Sequence, residues 1–309
     1  MASLTSHGPV VIDQGPRFGR FATIALKNDA IRLVVCPGLG ARVLSLRDCR
    51  SGREWLVQGE PPSEASAWAG EDAAFGGREA FGWDECLPTV SSCPDPLDAD
   101  APPLRDHGEC WGRPADVAVD GDVLISRWLS SRWDWTFERR LLLDGPAVEA
   151  VYGIQNHGNR PLPFLWSIHP LLALEPGSTV ELDRPAEIRI TAAIGLARPM
   201  DRPPDRWTVA DVTAGTALKA YARMAEPGTV RARQPDGATL QFAWDLAAAP
   251  VAGLWLDYGG WPADAPVHQV AIEPTTSEDD DLCSATETGR ARIVEPGAAT
   301  TWSVRMTLT

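Results

Sequence analysis

The chain has 309 residues, 44% of them hydrophobic and 23% charged, the balance of an ordinary globular protein large enough to build a sizeable core. Its formal charge of −14 argues against a nucleic-acid partner, because phosphate backbones are bound by clustered lysine and arginine. Residues 1–20 hold no continuous apolar segment and no later stretch approaches the roughly 20 apolar residues that span a bilayer, so a cytoplasmic protein without membrane contact is expected.

The dominant periodicity is two. Short alternating runs, bounded by Gly, Pro, Asp or Asn, predict strands over Phe21–Leu26, Ile31–Val35 and Val123–Leu129. In Arg132–Asp144, Trp133, Trp135 and Phe137 alternate with Asp134, Thr136 and Glu138, which places rings on one sheet face and polar groups on the other. Further strands are read at Val148–Ile154, Ala217–Met224, Thr239–Trp244, Leu254–Tyr258, Val267–Glu273 and Thr301–Leu308. Turn signals such as Asp120-Gly121, Asp144-Gly145 and Asp236-Gly237 separate them, as in hairpins and meanders. No long amphipathic helix stands out. Two stretches, Gly59–Asp106 and Ala193–Trp207, break the pattern and read as long loops, which a rigid sheet often holds over a pocket. With no repeat and no linker, one all-β antiparallel sandwich domain over residues 1–309 is expected.

Several common machines are absent: there is no G-x-x-x-x-G-K-[ST], no strand-bounded G-x-G-x-x-G, no G-x-S-x-G and no H-E-x-x-H. What remains is a small set of imidazoles and carboxylates at strand ends. His169 closes the apolar run Pro163–Leu171, next to a proline that cannot donate to a central ladder. Glu273 ends the apolar strand Val270–Pro274, where a charge is costly unless paired or wet. Alone, either residue has an ordinary structural explanation, a hydrogen-bonded histidine or a carboxylate at a strand end.

Taken together, the turn asparagine, proline and His-Pro closure of Asn156–Pro170 (NHGNRPLPFLWSIHP) and the late strand Val267–Pro274 (VHQVAIEP) resemble the aldose 1-epimerase, or galactose mutarotase-like, superfamily. Ser167 stands where that family commonly has glycine. The resemblance implies a large mutarotase-like β-sandwich, with His169 as general acid, Glu273 as general base and no cofactor or metal. Asp106–Pro114 (DHGECWGRP) is similar to the family's H-G-x-x-R substrate loop, which would make His107 a sugar-binding residue; Trp111 occupies the usual arginine slot and Arg113 falls two places later. Phe75–Val90 lies where relatives have a substrate loop and offers Arg78, Asp84 and Glu85, while Asp257 falls near a sugar-binding aspartate. For Asp257 the competing reading is a carboxylate that stabilises its own turn before Tyr-Gly-Gly.

The other features have plainer readings. Six cysteines without a C-x-x-C pair predict free thiols rather than a zinc site. Glu278–Asp281 (EDDD) lacks the spaced ligands of a calcium loop and reads as a solvated acidic segment. Of the 13 tryptophans most should fill the core, with Trp83, Trp111 and Trp166 the candidates for a pocket. If the resemblance holds, the expected activity is interconversion of sugar anomers. Opposite it stand a non-catalytic carbohydrate-binding protein on the same fold, a sugar-phosphate epimerase and a lyase or glycoside hydrolase with paired carboxylates. The expected partner is a small-molecule sugar or sugar phosphate, the latter served by Arg78, Arg105 and Arg113; the sequence leaves room for a homodimer. A neighbouring carboxylate is expected to raise the pKa of His169.

Overall fold

The computed structural model describes residues 9–64, 68–70, 73, 75–130, 132–196 and 203–309. The chain opens with an antiparallel meander, β1 (Val11–Gln14), β2 (Ile24–Lys27), β3 (Ile31–Cys36) and β4 (Arg42–Asp48). After a long excursion come β5 (Trp83–Cys86) and a second meander, β6 (Asp116–Asp120), β7 (Val123–Leu129), β8 (Trp135–Asp144) and β9 (Ala147–Asn156). Then follow β10 (Leu162–Phe164), β11 (Ser167–Leu172), β12 (Thr179–Ile194), β13 (Arg206–Thr208) and β14 (Thr216–Arg233). The chain finishes with β15 (Thr239–Trp244), β16 (Val251–Tyr258), β17 (His268–Thr275), a short helix α1 (Leu282–Glu287), β18 (Arg292–Val294) and β19 (Ala299–Leu308).

All the strand pairings are antiparallel, and they build one 17-stranded sheet that folds over on itself, with β10 and β18 forming a separate pair. One layer runs β2-β3-β4-β5-β11-β17-β16, and the other runs β15-β19-β9-β8-β7-β6. The long strand β14 joins them: Thr216–Arg223 pairs with β16, whereas Thr229–Arg233 pairs with β15. Leu33, Leu46, Ile168, Leu254 and Ile272 of the first layer pack against Phe137, Leu141, Tyr152, Phe242 and Val304 of the second. Fully burying each such side chain is worth about 1.5–3 kcal/mol, which is why alternation of period two decides the fold.

A smaller apolar cluster lies on the outer face of the first layer. There Val34, Leu44, Leu171 and Ala271 are covered by Trp68, Phe75, Phe81 and Trp111. The cover comes from the two segments that follow β4 and precede β6. The first was read as a single loop, Gly59–Asp106, but it contains β5, whose four buried residues pair with β11. The second presumed loop, Ala193–Trp207, is entered by β12 and left by β13; its residues 197–202 lie outside the described residues. Among the described residues no helix is long and apolar enough to cross a membrane.

Candidate active site

Strand register assembles the site. His169 sits opposite Asp84 on β5, and the pairs Ser167 with Thr275 and Leu171 with Ala271 bring His169 beside Glu273 on β17. Glu273 in turn faces Gly253 of β16, and Gly253 faces Tyr221 of β14. Because side chains alternate along a strand, all of these point to the outer face of the layer. Gly253 is needed there: a Cβ on it would stand 2.8 Å from Glu273 Oε2 and 3.2 Å from Tyr221 Cε1.

Over this row lies a cavity of about 240 Å³, lined among others by Phe75, His107, His169, Lys219, Trp255 and Glu273. His169 Nε2 is 3.5 Å from Glu273 Oε1, and both side chains are almost wholly buried. Burial dominates their protonation. It lifts the Glu273 carboxyl from 4.5 to about 7, against the pull of the Lys219 ammonium and with the help of Asp280. Burial also drives His169 well below 6.5, reinforced by His107, Lys219 and Arg42. The expectation that a carboxylate would raise His169 is therefore overturned: loss of hydration outweighs the neighbour, and the pair rests with Glu273 inclined to hold a proton and His169 neutral. A larger cavity of about 810 Å³, with Trp68, Arg78, Phe81 and His268 in its wall, includes none of His107, His169 and Glu273.

His107 reaches the cavity from a tight turn. Its φ is 56°, that of Gly108 is 73°, and a Cβ on Gly108 would meet Leu87 O at 2.0 Å, so the glycine is dictated by its close approach to Leu87, the residue after β5. Asp106 accepts from the Phe75 backbone N–H at 3.0 Å and lies 3.1 Å from His107 Nδ1. Phe75 stacks on the His107 ring at 4.1 Å and meets His169 edge-on at 5.1 Å.

Other predicted residues do not come together at the cavity. Asp84 and Glu85 are consecutive on β5 and must face opposite sides of the sheet. Glu85 enters the sandwich core, where Arg139 donates to it at 2.9 Å, Trp166 at 3.0 Å, Trp83 at 3.0 Å and Tyr152 at 3.1 Å. Asp84 keeps to the outer face but is sealed beneath the site in an ion pair with Arg42 at 2.7 Å, and burial lifts its carboxyl to about 7. Trp111 is fully buried, donates to Asp106 O at 2.7 Å and supports the His107 loop from behind. Arg113 donates to Ala69 O at 3.2 Å, and Arg78 is exposed in the wall of the larger cavity. Asp257 accepts the backbone N–H groups of Gly260 and Trp261 at 2.9 and 3.2 Å, the turn-stabilising role. Trp83 and Trp166 belong to the core; the tryptophans in the cavity wall are Trp255 and Trp261.

Sequence reasoning missed Lys219, Tyr221 and Asp280. Lys219 and Tyr221 occupy alternate positions of β14, where the sequence predicted a strand and no site residue, and both converge on the carboxylate of Asp280, Tyr221 at 2.5 Å. Burial opposes the Lys219 charge, but Tyr221, Glu273 and Asp280 outweigh it and hold its pKa above the usual lysine value. The acidic run is not a loosely solvated segment: Glu278 pairs with Arg223, Asp279 with Arg290, and Asp281 caps α1 through the Ser284 N–H.

No protein-family model matches the chain, and no curated protein matches it. Solved structures do. Slr1438 from Synechocystis superposes with a TM-score of 0.69 at 17% identity, covering 94% of this chain and 96% of that one. A Klebsiella pneumoniae protein described as a "putative aldose 1-epimerase" gives 0.71 at 15% identity, over 96% and 83% of the two chains. A galactose mutarotase-like protein from Lactobacillus casei gives 0.66 at 12% identity, over 93% and 100%. The chain therefore has the galactose mutarotase-like fold; at these identities the likeness is one of fold, and the chemistry has to be argued from the site.

Proposed function

We propose that the protein is an aldose 1-epimerase-like isomerase, in which Glu273 and His169 exchange protons with the anomeric centre of a bound sugar. The observation that carries this reading is the pair itself: a carboxyl and an imidazole 3.5 Å apart in the wall of one aromatic-lined cavity. Anomer exchange needs one group to take the proton of the anomeric hydroxyl and another to protonate the ring oxygen, so that the ring opens to an aldehyde. With Glu273 accepting and His169 donating, ring opening ends with a protonated carboxyl and a neutral imidazole. The free pair rests in that same protonation state, so turnover begins by moving the proton from Glu273 to His169 across their 3.5 Å contact. Rotation about C1–C2 and return of both protons then close the ring from the other face. His107, held by Asp106, and the rings of Phe75, Trp255 and Trp261 would orient the sugar through a hydrogen bond and apolar C–H contacts.

An unphosphorylated aldose fits better than a sugar phosphate. The arginines that were to hold a phosphate are engaged elsewhere: Arg105 is buried, stacks on Trp111 and donates to Trp111 O at 2.9 Å, and neither Arg78 nor Arg113 lines the cavity. Lys219, the cation that does, is already paired with Asp280. The test is anomer exchange followed by NMR over a panel of aldoses, with the wild type beside Glu273→Gln and His169→Asn. Exchange that survives both substitutions would remove the mechanism, and saturable sugar binding without exchange in the wild type would favour a carbohydrate-binding protein instead.

A further inference from the structure

We propose that Cys86, His107 and His169 form a binding site for one divalent cation of the zinc class, and that filling it silences the Glu273–His169 pair; the second half rests on the function proposed above. One ligand atom from each of the three side chains lies within 4.8 Å of the other two. A tetrahedral zinc ion, with bonds of about 2.3 Å to sulfur and about 2.0–2.1 Å to nitrogen, holds its ligand atoms about 3.4–3.6 Å apart, so side-chain adjustments of about 1 Å close the triangle.

Two further features point to a ligand. His107 has its Nδ1 against Asp106, which leaves Nε2 for a metal; this carboxylate–histidine arrangement is the usual outer support of a metal-bound imidazole. Phe75 fixes the plane of the same ring. Independently, His169 Nδ1 is buried without a hydrogen-bond partner among the described residues, a donor or acceptor that ordinary packing leaves unused. Glu273 faces the other ring nitrogen, Nε2, and stays outside the group, so the fourth position of the ion falls to a water molecule. A thiolate with two imidazoles is a soft to borderline set, which selects Zn2+ over Mg2+ or Ca2+. Binding replaces the Cys86 thiol proton, which leaves to solvent as the sulfur–metal bond forms. A metal-bound imidazole cannot become an imidazolium, so the acid of the epimerisation is lost while the ion stays.

The probe is Co2+ added to the full-length protein, followed by optical titration and then by competition with Zn2+. The expected result is saturation at one ion per chain, with tetrahedral ligand-field bands and a thiolate-to-cobalt charge-transfer band that disappears in Cys86→Ser. Asp106→Asn should weaken Zn2+ by about 10–100-fold. If Cys86→Ser does not fold, as judged by circular dichroism, His107→Gln serves in its place, with loss of the tetrahedral ligand-field bands as readout. Absence of one-to-one saturation, or a charge-transfer band unchanged in Cys86→Ser, overturns the site. In the wild type, saturating Zn2+ should stop anomer exchange and a chelator should restore it; exchange that continues at saturation overturns the inhibitory half. Cysteine-dependent Zn2+ binding by a protein that exchanges no sugar would uphold the site and refute the epimerase reading.

Discussion

Replacing Glu273 by glutamine removes a proton-transfer group and a buried charge together, and the two consequences have opposite signs. Burial raises the folded-state pKa of this carboxyl from 4.5 to about 7. The folded protein thus binds the proton more tightly than the unfolded chain does. Stability from this group is complete at acid pH, below the unfolded value, falls as pH rises through about 7, and is flat beyond. At 1.36 kcal/mol per tenfold change in proton affinity, the cost on the alkaline side is on the order of 3 kcal/mol. Glutamine escapes that cost, in which the attraction of Lys219 is already counted, so a net gain on the order of 3 kcal/mol is expected at about pH 8.5, or roughly 2 °C in Tm for each kcal/mol. Asp84, lifted into the same range, is present in both proteins and cancels in the difference. Thermal melts by circular dichroism at about pH 4 and about pH 8.5 measure the gap, and NMR measures the activity. The variant should melt with the wild type at the acid end, above it at the alkaline end, and exchange anomers at least about 100-fold more slowly. A stability gap that is the same at both pH values would refute the burial argument, and undiminished exchange would refute the chemistry.

The remaining expectations follow from the same geometry. The pair works only with one proton between its two members, so kcat/KM should be bell-shaped in pH, with an alkaline limb near the Glu273 value of about 7 and an acid limb set by His169, below 6.5; a flat profile from about pH 5 to 9 would contradict this. Lys219→Met removes the charge that lowers Glu273, and titrating the alkaline limb should show it displaced to higher pH. Gly253→Ala pushes a methyl group against the Glu273 carboxylate, and a displacement of about 1 Å should lower kcat by about 100-fold while circular dichroism stays that of the wild type. Glu85→Ala leaves the Arg139 guanidinium buried without its partner, and chemical denaturation should report a loss of about 3–5 kcal/mol with KM unchanged.

Much of the architecture is readable from alternation alone. The rings of Trp135 and Phe137 do face one way, and Thr239–Trp244 is a strand over the range expected, because each alternating run has one buried face and a turn signal at its end. Alternation says which residues share a face but not what that face meets. Arg139 lies on the ring side of β8, where it is tolerable only because Glu85, some fifty residues earlier, enters the same core. β5 was lost in a loop for a related reason: four residues paired with a strand eighty positions away leave no local periodicity to detect.

The sequence by itself determined the all-β class and the turns, since these depend on neighbours within a few residues; it put His169 and Glu273 at strand ends, whereas both stand inside strands, β11 running on to Leu172 and β17 to Thr275. Only the tertiary structure decided which carboxylates reach the cavity, that Lys219 and Asp280 lie beside it, and that His169 is neutral. Those outcomes depend on the register between strands distant in the chain and on how completely water is excluded, and both are properties of the packed sheet rather than of any segment of it.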